Sequence, residues 1–432
     1  MTAARMAPAQ KQKLVKTEGY VTAVDAATGF DVDGTHVTTS PETAYGRIDG
    51  KPDKDQAPLK DSLRVGLYVQ VVGSMAGGSI RASSVLWSDN SGRKLHGFGV
   101  IDRVICPGSE PVYEADGYRM QIRASTQVSF RGSLKSLADV GTNTWVSYEG
   151  KRDKAGVLVT TEARFFSAKS GKSKAKQDQP DQVPTEDSLV SADGRLLPRH
   201  AKVRMSDSGG VCGWHKVPGD KALQERVHRI GMSVVPAYQK HLAADDASKI
   251  KFRFYAVNET KVRSDISCTE GVVLVPQQVV ERLKNDDQLA AILADGVAYS
   301  LQLQAARNFW GKSGKTIEVA SVAADAAFLV ANPIGVLLAN ETFVKVASRL
   351  IETKLEEQRG RVTLALMANA GYDPWQAPEA WRLLAPKHLL TDTGSLKYPD
   401  RSGYMLGILG LQYAHEATPT GPQAARTENQ SR

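Results

Sequence analysis

Apolar and polar residues alternate along the first part of the chain. In "GYVTAVDAATGFDVDGTHVTTS" (Gly19 to Ser40) the alternation is broken by Gly and Asp at the turns, the pattern of half-buried strands. "DSLRVGLYVQVVGSMAGGSIRASSVLWS" (Asp61 to Ser88) supplies two more strands. A second copy of the pattern opens at "GFGVIDRVI" (Gly97 to Ile105), continues through "GYRMQIRASTQVSFRG" and closes with "KSLADVGTNTWVSYEGKRDKAGVLVTTEARFF". Ser62-Leu63 followed by Val65-Gly66 recurs as Ser136-Leu137 followed by Val140-Gly141. The pattern predicts two tandem small β-barrels over residues 17–90 and 91–167, after a disordered segment at 1–16. Closing a barrel removes the strand edges that otherwise invite aggregation.

From Ala168 the pattern lapses. "AKSGKSKAKQDQPDQVPTEDSLVSAD" has no aromatic residue and is rich in Lys, Ser, Gln and Asp, too polar to bury a core of its own. Residues 168–195 are expected to be a flexible linker. Helical periodicity follows: "DKALQERVHRIGMSVVPAYQKHL" sets Leu223, Val227, Ile230 and Val234 on one face. "KFRFYAVNE" and "GVVLVP" read as strands, and "DDQLAAILADGVAYSLQLQAARNF" and "FVKVASRLIETKLEEQRGRVTLALMANAG" as long helices, the first capped by Asp286 or Asp287. The expectation is a mainly helical α+β domain over 196–390 and a partly disordered extension over 391–432. The apolar run "AAFLVANPIGVLLA" (326–339) is shorter than a membrane helix needs and contains Pro333. It reads as a buried helical hairpin with peripheral membrane contact as the lesser reading, and no transmembrane span is expected.

Charge narrows the function classes. The formal net charge is +8, but eight lysines and arginines lie in two segments without aromatics: Arg5, Lys11, Lys13 and Lys16, and Lys169, Lys172, Lys174 and Lys176. The folded parts are therefore close to neutral, and no nucleic-acid partner is expected. The three cysteines, Cys106, Cys212 and Cys268, form no C-x-x-C pair. "GGVCGWHKV" holds Cys212 and His215 at C-x-x-H spacing, which reads first as a turn with a buried cysteine and an exposed histidine. A Cys212–Cys268 disulfide is the second reading and needs an oxidising compartment. The start "MTAARMAPAQKQ" has no apolar signal core, although Ala7-Pro8-Ala9 has the form of a cleavage site. Localisation stays open, with the periplasm expected if the true start lies upstream.

The helical half carries a resemblance. A helix opening "DDQLAAILA", a later helix ending "LALMANAGYDP", and "APEAWRLL" after it resemble the HtpX-like and CAAX-processing type of zinc metallopeptidase, over about Leu196 to Pro386. The resemblance implies a gluzincin-type fold. The two β-modules, in pattern, resemble small OB-like modules of bacterial exported proteins. In that peptidase family H-E-x-x-H follows the helix opening: two histidines bind zinc, the glutamate activates the metal-bound water, and a glutamate on the later helix is the third ligand. Carried over residue by residue, the histidines fall on Asp295 and Tyr299, the general base on Gly296 and the third ligand on Gln358. Gly296 has no side chain to act as a base and costs the helix roughly 1 kcal/mol relative to alanine.

The resemblance therefore implies a pseudopeptidase, a degenerate metallopeptidase fold that binds or scaffolds a protein or peptide partner and needs no cofactor. The alternative is an atypical zinc metalloendopeptidase in which Asp295 binds the metal through oxygen. Glu352, Glu356 and Glu357 alternate with Arg349, Lys354 and Arg359, the pattern of a solvated helix face.

Overall fold

The computed structural model describes residues 14–25, 29–32, 35–48, 63–64, 67–76, 78–88, 94–153, 155–168, 188–190, 196–198, 215–258, 267–269, 271–310, 356–384 and 398–413. The chain divides into two compact units, Met1–Asn90 and Ser91–Arg432. Each is described by itself.

In the first unit the alternating pattern becomes strands β1 (Leu14–Asp25), β2 (Gly29–Val32), β3 (Thr35–Thr38), β4 (Ala44–Arg47), β5 (Tyr68–Ala76) and β6 (Ser79–Ser88). Antiparallel pairing runs β3-β2-β1-β5-β6, and β3 returns to pair in parallel with β6, so the sheet closes on itself. The inward set is Val21, Phe30, Val32, Val37, Val69, Val71, Ile80 and Val85. Every second side chain of a strand faces this core, which is why the alternation was visible in sequence.

The second unit begins with the same construction. Its strands are β7 (Lys94–Cys106), β8 (Val112–Ala115), β9 (Tyr118–Gln121), β10 (Gln127–Arg131), β11 (Trp145–Arg152) and β12 (Leu158–Phe166). The equivalence with the first unit holds residue by residue. Phe30 pairs with Val37 as Tyr113 pairs with Met120, and Val37 pairs with Ile80 as Met120 pairs with Leu158. A bulge at Val72/Gly73 matches one at Glu149/Gly150. The buried hydroxyl of Thr43 donates to the Ala82 carbonyl at 2.9 Å, as that of Thr126 does to Thr160 at 2.8 Å. Leu67 O accepts from Val21 N, and Thr144 O from Ile101 N.

Around this barrel lie the helices. Helix α1 (Lys221–Val234) is capped by Asp220, whose side chain accepts from Leu223 N at 3.0 Å, and it buries Val227, Ile230 and Val234. Leu223, expected on that face, is only partly buried, and Gln224 is buried in its stead. The Gln224 amide bonds both Ala256 O (2.9 Å) and Ala256 N (3.0 Å), completing the edge of a strand. After α2 (Ala237–His241), strands β16 (Arg253–Val257) and β18 (Val272–Pro276) run parallel, with β17 (Ser267–Thr269) antiparallel to β18. Helices α3 (Gln277–Arg282), α4 (Asp286–Trp310), α5 (356–369), α6 (Gln376–Leu384) and α7 (Tyr398–Gln412) complete the described elements. Helix α4 is buried on every side from Leu289 to Ala298, which matches its nearly continuous apolar sequence.

Several expectations change. The cap of α4 is Asn285, whose side chain accepts from Gln288 N at 2.8 Å; Asp286 instead pairs with Arg226 (2.9 Å) and Arg229 (3.2 Å). Within the expected linker 168–195, Ser188–Val190 is a strand, β13, paired with β14 (Leu196–Pro198) and β15 (His215–Lys216). Residues 169–187 and 191–195 of that segment lie outside the described residues, as do Cys212 and the run 326–339. The break in packing falls at Asn90/Ser91, the boundary drawn between the two barrels in sequence. The extension 391–432 contributes α7, which buries Tyr404, Met405, Ile408 and Leu409. Its apolar residues recur at helical spacing, so a polar C-terminal stretch did not prevent it from joining the core.

Candidate functional site

Asp295 lies in the middle of α4, where a negative charge has no water to solvate it. Two arginines converge on it. Arg359, from α5, sits 3.4 Å away through Nε, and Arg401, from α7, donates to the same carboxylate oxygen. Glu356, one turn before Arg359, accepts from Arg359 and lies 3.5 Å from Arg401. Burial alone would push the Glu356 carboxyl up, but Arg401 and Arg359 outweigh it and hold it below its ordinary value. The Thr363 hydroxyl, also on α5, is 3.5 Å from Asp295. Two carboxylates and two guanidiniums thus neutralise one another in a buried cluster. Trp381 of α6 closes it, with the Arg401 guanidinium 4.1 Å from the ring centre.

The other positions singled out in sequence lie around this cluster. Tyr299, one turn after Asp295, faces the Arg359 guanidinium at 5.5 Å. The carbonyl of Gly296 accepts from Ser300 Oγ at 3.0 Å, and Ser300 in turn accepts from Gly271 N at 3.0 Å, tying α4 to the sheet. Gln358 does not join the ion pairs. Its carbonyl accepts from Gln302 of α4 at 2.9 Å, and its amide donates to the Phe98 carbonyl of β7 at 2.8 Å. The structure therefore brings Asp295, Gly296, Tyr299 and Gln358 into the contact between α4 and α5. Cys268 lies on β17, and Cys106 is a free, exposed cysteine.

Three contributors were not legible in the sequence. Arg401 sits in "YPDRSGYMLGILG", where one arginine ahead of an apolar helical run was the available signal. Glu356 and Arg359 were expected on a solvated face but are turned inward, because α7 supplies the charge that lets them be buried. Among the described residues, no group of three or more His, Cys, Asp and Glu side chains is placed to hold a metal ion. The donor set around Asp295 does not fit zinc: its nearest neighbours are two cations.

Next to this cluster the second barrel meets the helices. Arg361, two residues from Arg359, points the other way, into the barrel. It donates to Asp116 Oδ2 (2.9 Å) and Tyr404 (2.9 Å) and lies over the Tyr118 ring at 4.5 Å. Tyr148 also donates to Asp116, and Asn369 of α5 donates to Glu114. Gly117, at φ +71°, lets the β8–β9 turn touch α5: a Cβ there would lie 2.6 Å from the Arg361 carbonyl carbon. Gln412 of α7 donates to the Gly117 carbonyl at 3.0 Å.

A family model described as a domain of unknown function, DUF5666, matches residues 18–85, the strands of the first barrel. No curated protein matches the chain, and no solved structure does. Among the described residues, no helix is long and apolar enough to cross a membrane.

Proposed function

We propose that the region around 196–390 is a metallopeptidase-like, gluzincin-type fold that does not hydrolyse peptides and acts as a protein-binding or scaffolding module, with the OB-like barrels adding contact surface. The observation that carries this reading is the pair of arginines on Asp295. A divalent cation bound there would face two guanidiniums at contact distance. Between unit charges 4 Å apart the repulsion is about 4 kcal/mol at the effective dielectric of a protein site, and zinc carries twice that charge. The metalloendopeptidase alternative needs Asp295 to leave both arginines, which would leave two buried cations with the one carboxylate of Glu356.

The remaining positions support the same reading. Gly296 offers no base, Tyr299 is engaged by Arg359, and both ends of the Gln358 amide are committed to Gln302 and Phe98. The juxtaposition of α4 and α5 is what the resemblance to the peptidase family implies, with an ion-pair cluster where the metal would be. Elemental analysis of the full chain after dialysis, alongside a peptide-hydrolysis assay with added zinc, is the test. We expect far less than one zinc per chain and no zinc-dependent cleavage; one tightly held zinc per chain would overturn the proposal.

A further inference from the structure

The seam between the second barrel and the helices gathers three carboxylates. Asp102 on β7, Glu114 on β8 and Asp116 in the turn after β8 lie close enough to act on one another. Arg103 answers Glu114 at 2.9 Å, and Arg361 answers Asp116 at 2.9 Å. Asp102 is left over. It is partly buried as a residue, yet its Oδ1 is out of solvent and has no hydrogen-bond partner. The same is true of Asp116 Oδ1, and Asp102 also acts electrostatically on Tyr238, a buried α2 residue. Natural proteins rarely leave such groups unsatisfied without a reason.

We infer that Asp102 makes this seam a pH-sensitive latch, tight while its carboxyl holds a proton and loosened when it ionises. Ionised, it adds an uncompensated charge beside two other carboxylates; protonated, it removes that charge and carries a donor where Asp116 Oδ1 has no partner. Burial, then Glu114 and Asp116, pushes the Asp102 carboxyl well above the ordinary carboxylate range, and Arg103 opposes this without cancelling it.

The other groups facing the seam are already engaged. From α5, Arg361 is committed to Asp116 and Asn369 to Glu114; from β11, Tyr148 donates to Asp116. On α2, Lys240 Nζ is turned to the Ser233 carbonyl at 3.1 Å. A carboxyl whose folded value is raised stabilises fully below its unfolded value, and that contribution is lost as pH rises through the folded value. Within that window each pH unit lowers the closed-to-open ratio by up to about tenfold.

Hydrogen exchange of the full chain, followed in peptides covering β7 and α2 and corrected for intrinsic exchange, reads this directly. Wild-type protection should fall with rising pH by up to about tenfold per unit across the window. Asp102→Asn should stay level and exceed the wild type at the upper end. An Asp102→Asn profile that follows the wild-type slope would overturn the inference. A carboxyl carbon NMR titration of Asp102 in the unaltered protein provides a second reading that does not depend on the variant folding. A midpoint above the ordinary carboxylate range supports the latch, and an ordinary midpoint overturns it.

Discussion

Asp295 shows how one buried charge constrains its neighbours. Alone on α4 its charge would be buried without a counter-charge; Arg359 and Arg401 compensate it, and those arginines in turn need Glu356. Removing one member strands the rest. We predict that Asp295→Ala destabilises the second unit by about 3–5 kcal/mol, because two buried guanidiniums are left to share the single carboxylate of Glu356. Denaturant unfolding followed by tryptophan fluorescence measures it, since Trp381 lies against Arg401. A change comparable to that of a surface substitution would show the cluster to be energetically idle.

The pH dependence of the same cluster has the opposite sign to that of Asp102. Glu356 is held low, so its contribution is present above the ordinary carboxylate value and is lost as pH falls through the lowered folded value. Acid unfolding of the second unit should therefore be less steep in Glu356→Gln than in the wild type. The variant itself should be less stable at neutral pH.

At the scale of elements, α4 and α5 meet through an electrostatic contact at Asp295 and an amide contact at Gln358. The electrostatic one makes a sharp test of ancestry. Asp295→His, Gly296→Glu, Tyr299→His and Gln358→Glu together should bind no zinc while Arg359 and Arg401 remain. Adding Arg359→Leu and Arg401→Leu should produce measurable, weak binding in a competition titration. Zinc binding by the fourfold variant alone would mean that the arginines do not oppose the metal.

The turn between β8 and β9 is a second element-scale test. Gly117→Ala combines a left-handed backbone with a Cβ placed against Arg361, so it should cost more than the roughly 1 kcal/mol of the backbone conformation alone. The same thermal unfolding transition that reports on Arg361→Ala should report on it. Asn285→Ala, which removes the cap of α4, should cost about 1 kcal/mol.

For the whole molecule, the boundary that matters lies between the two barrels. A fragment beginning at residue 91 keeps Asp116, Glu114 and the Phe98 carbonyl, which hold α5. A fragment beginning at residue 168 loses all three and leaves Arg361 without its carboxylate. We predict that residues 91–432 unfold cooperatively and that residues 168–432 do not, as judged by calorimetry and near-ultraviolet circular dichroism. A cooperative transition in the shorter fragment would show that the second barrel is dispensable to the helices.

What could be read without a structure was whatever repeats at short range. Two-residue alternation named most strands of both barrels, helical spacing named α1, and a nearly continuous apolar run named α4; Asp295, Gly296, Tyr299 and Gln358, singled out by resemblance, lie at the contact between α4 and α5. These patterns are local because side-chain direction is set by the backbone of each element. The ion pairs were not legible. Arg359 and Arg361 stand two residues apart in one helix, yet one faces Asp295 and the other Asp116. Nothing in "EEQRGR" distinguishes them, because each direction is fixed by a carboxylate far away in the chain. Arg401 and Asp102 are likewise decided by what is packed against them, since the free energy of a buried charge depends on the charges and dipoles within a few ångströms. Only the folded chain brings those together.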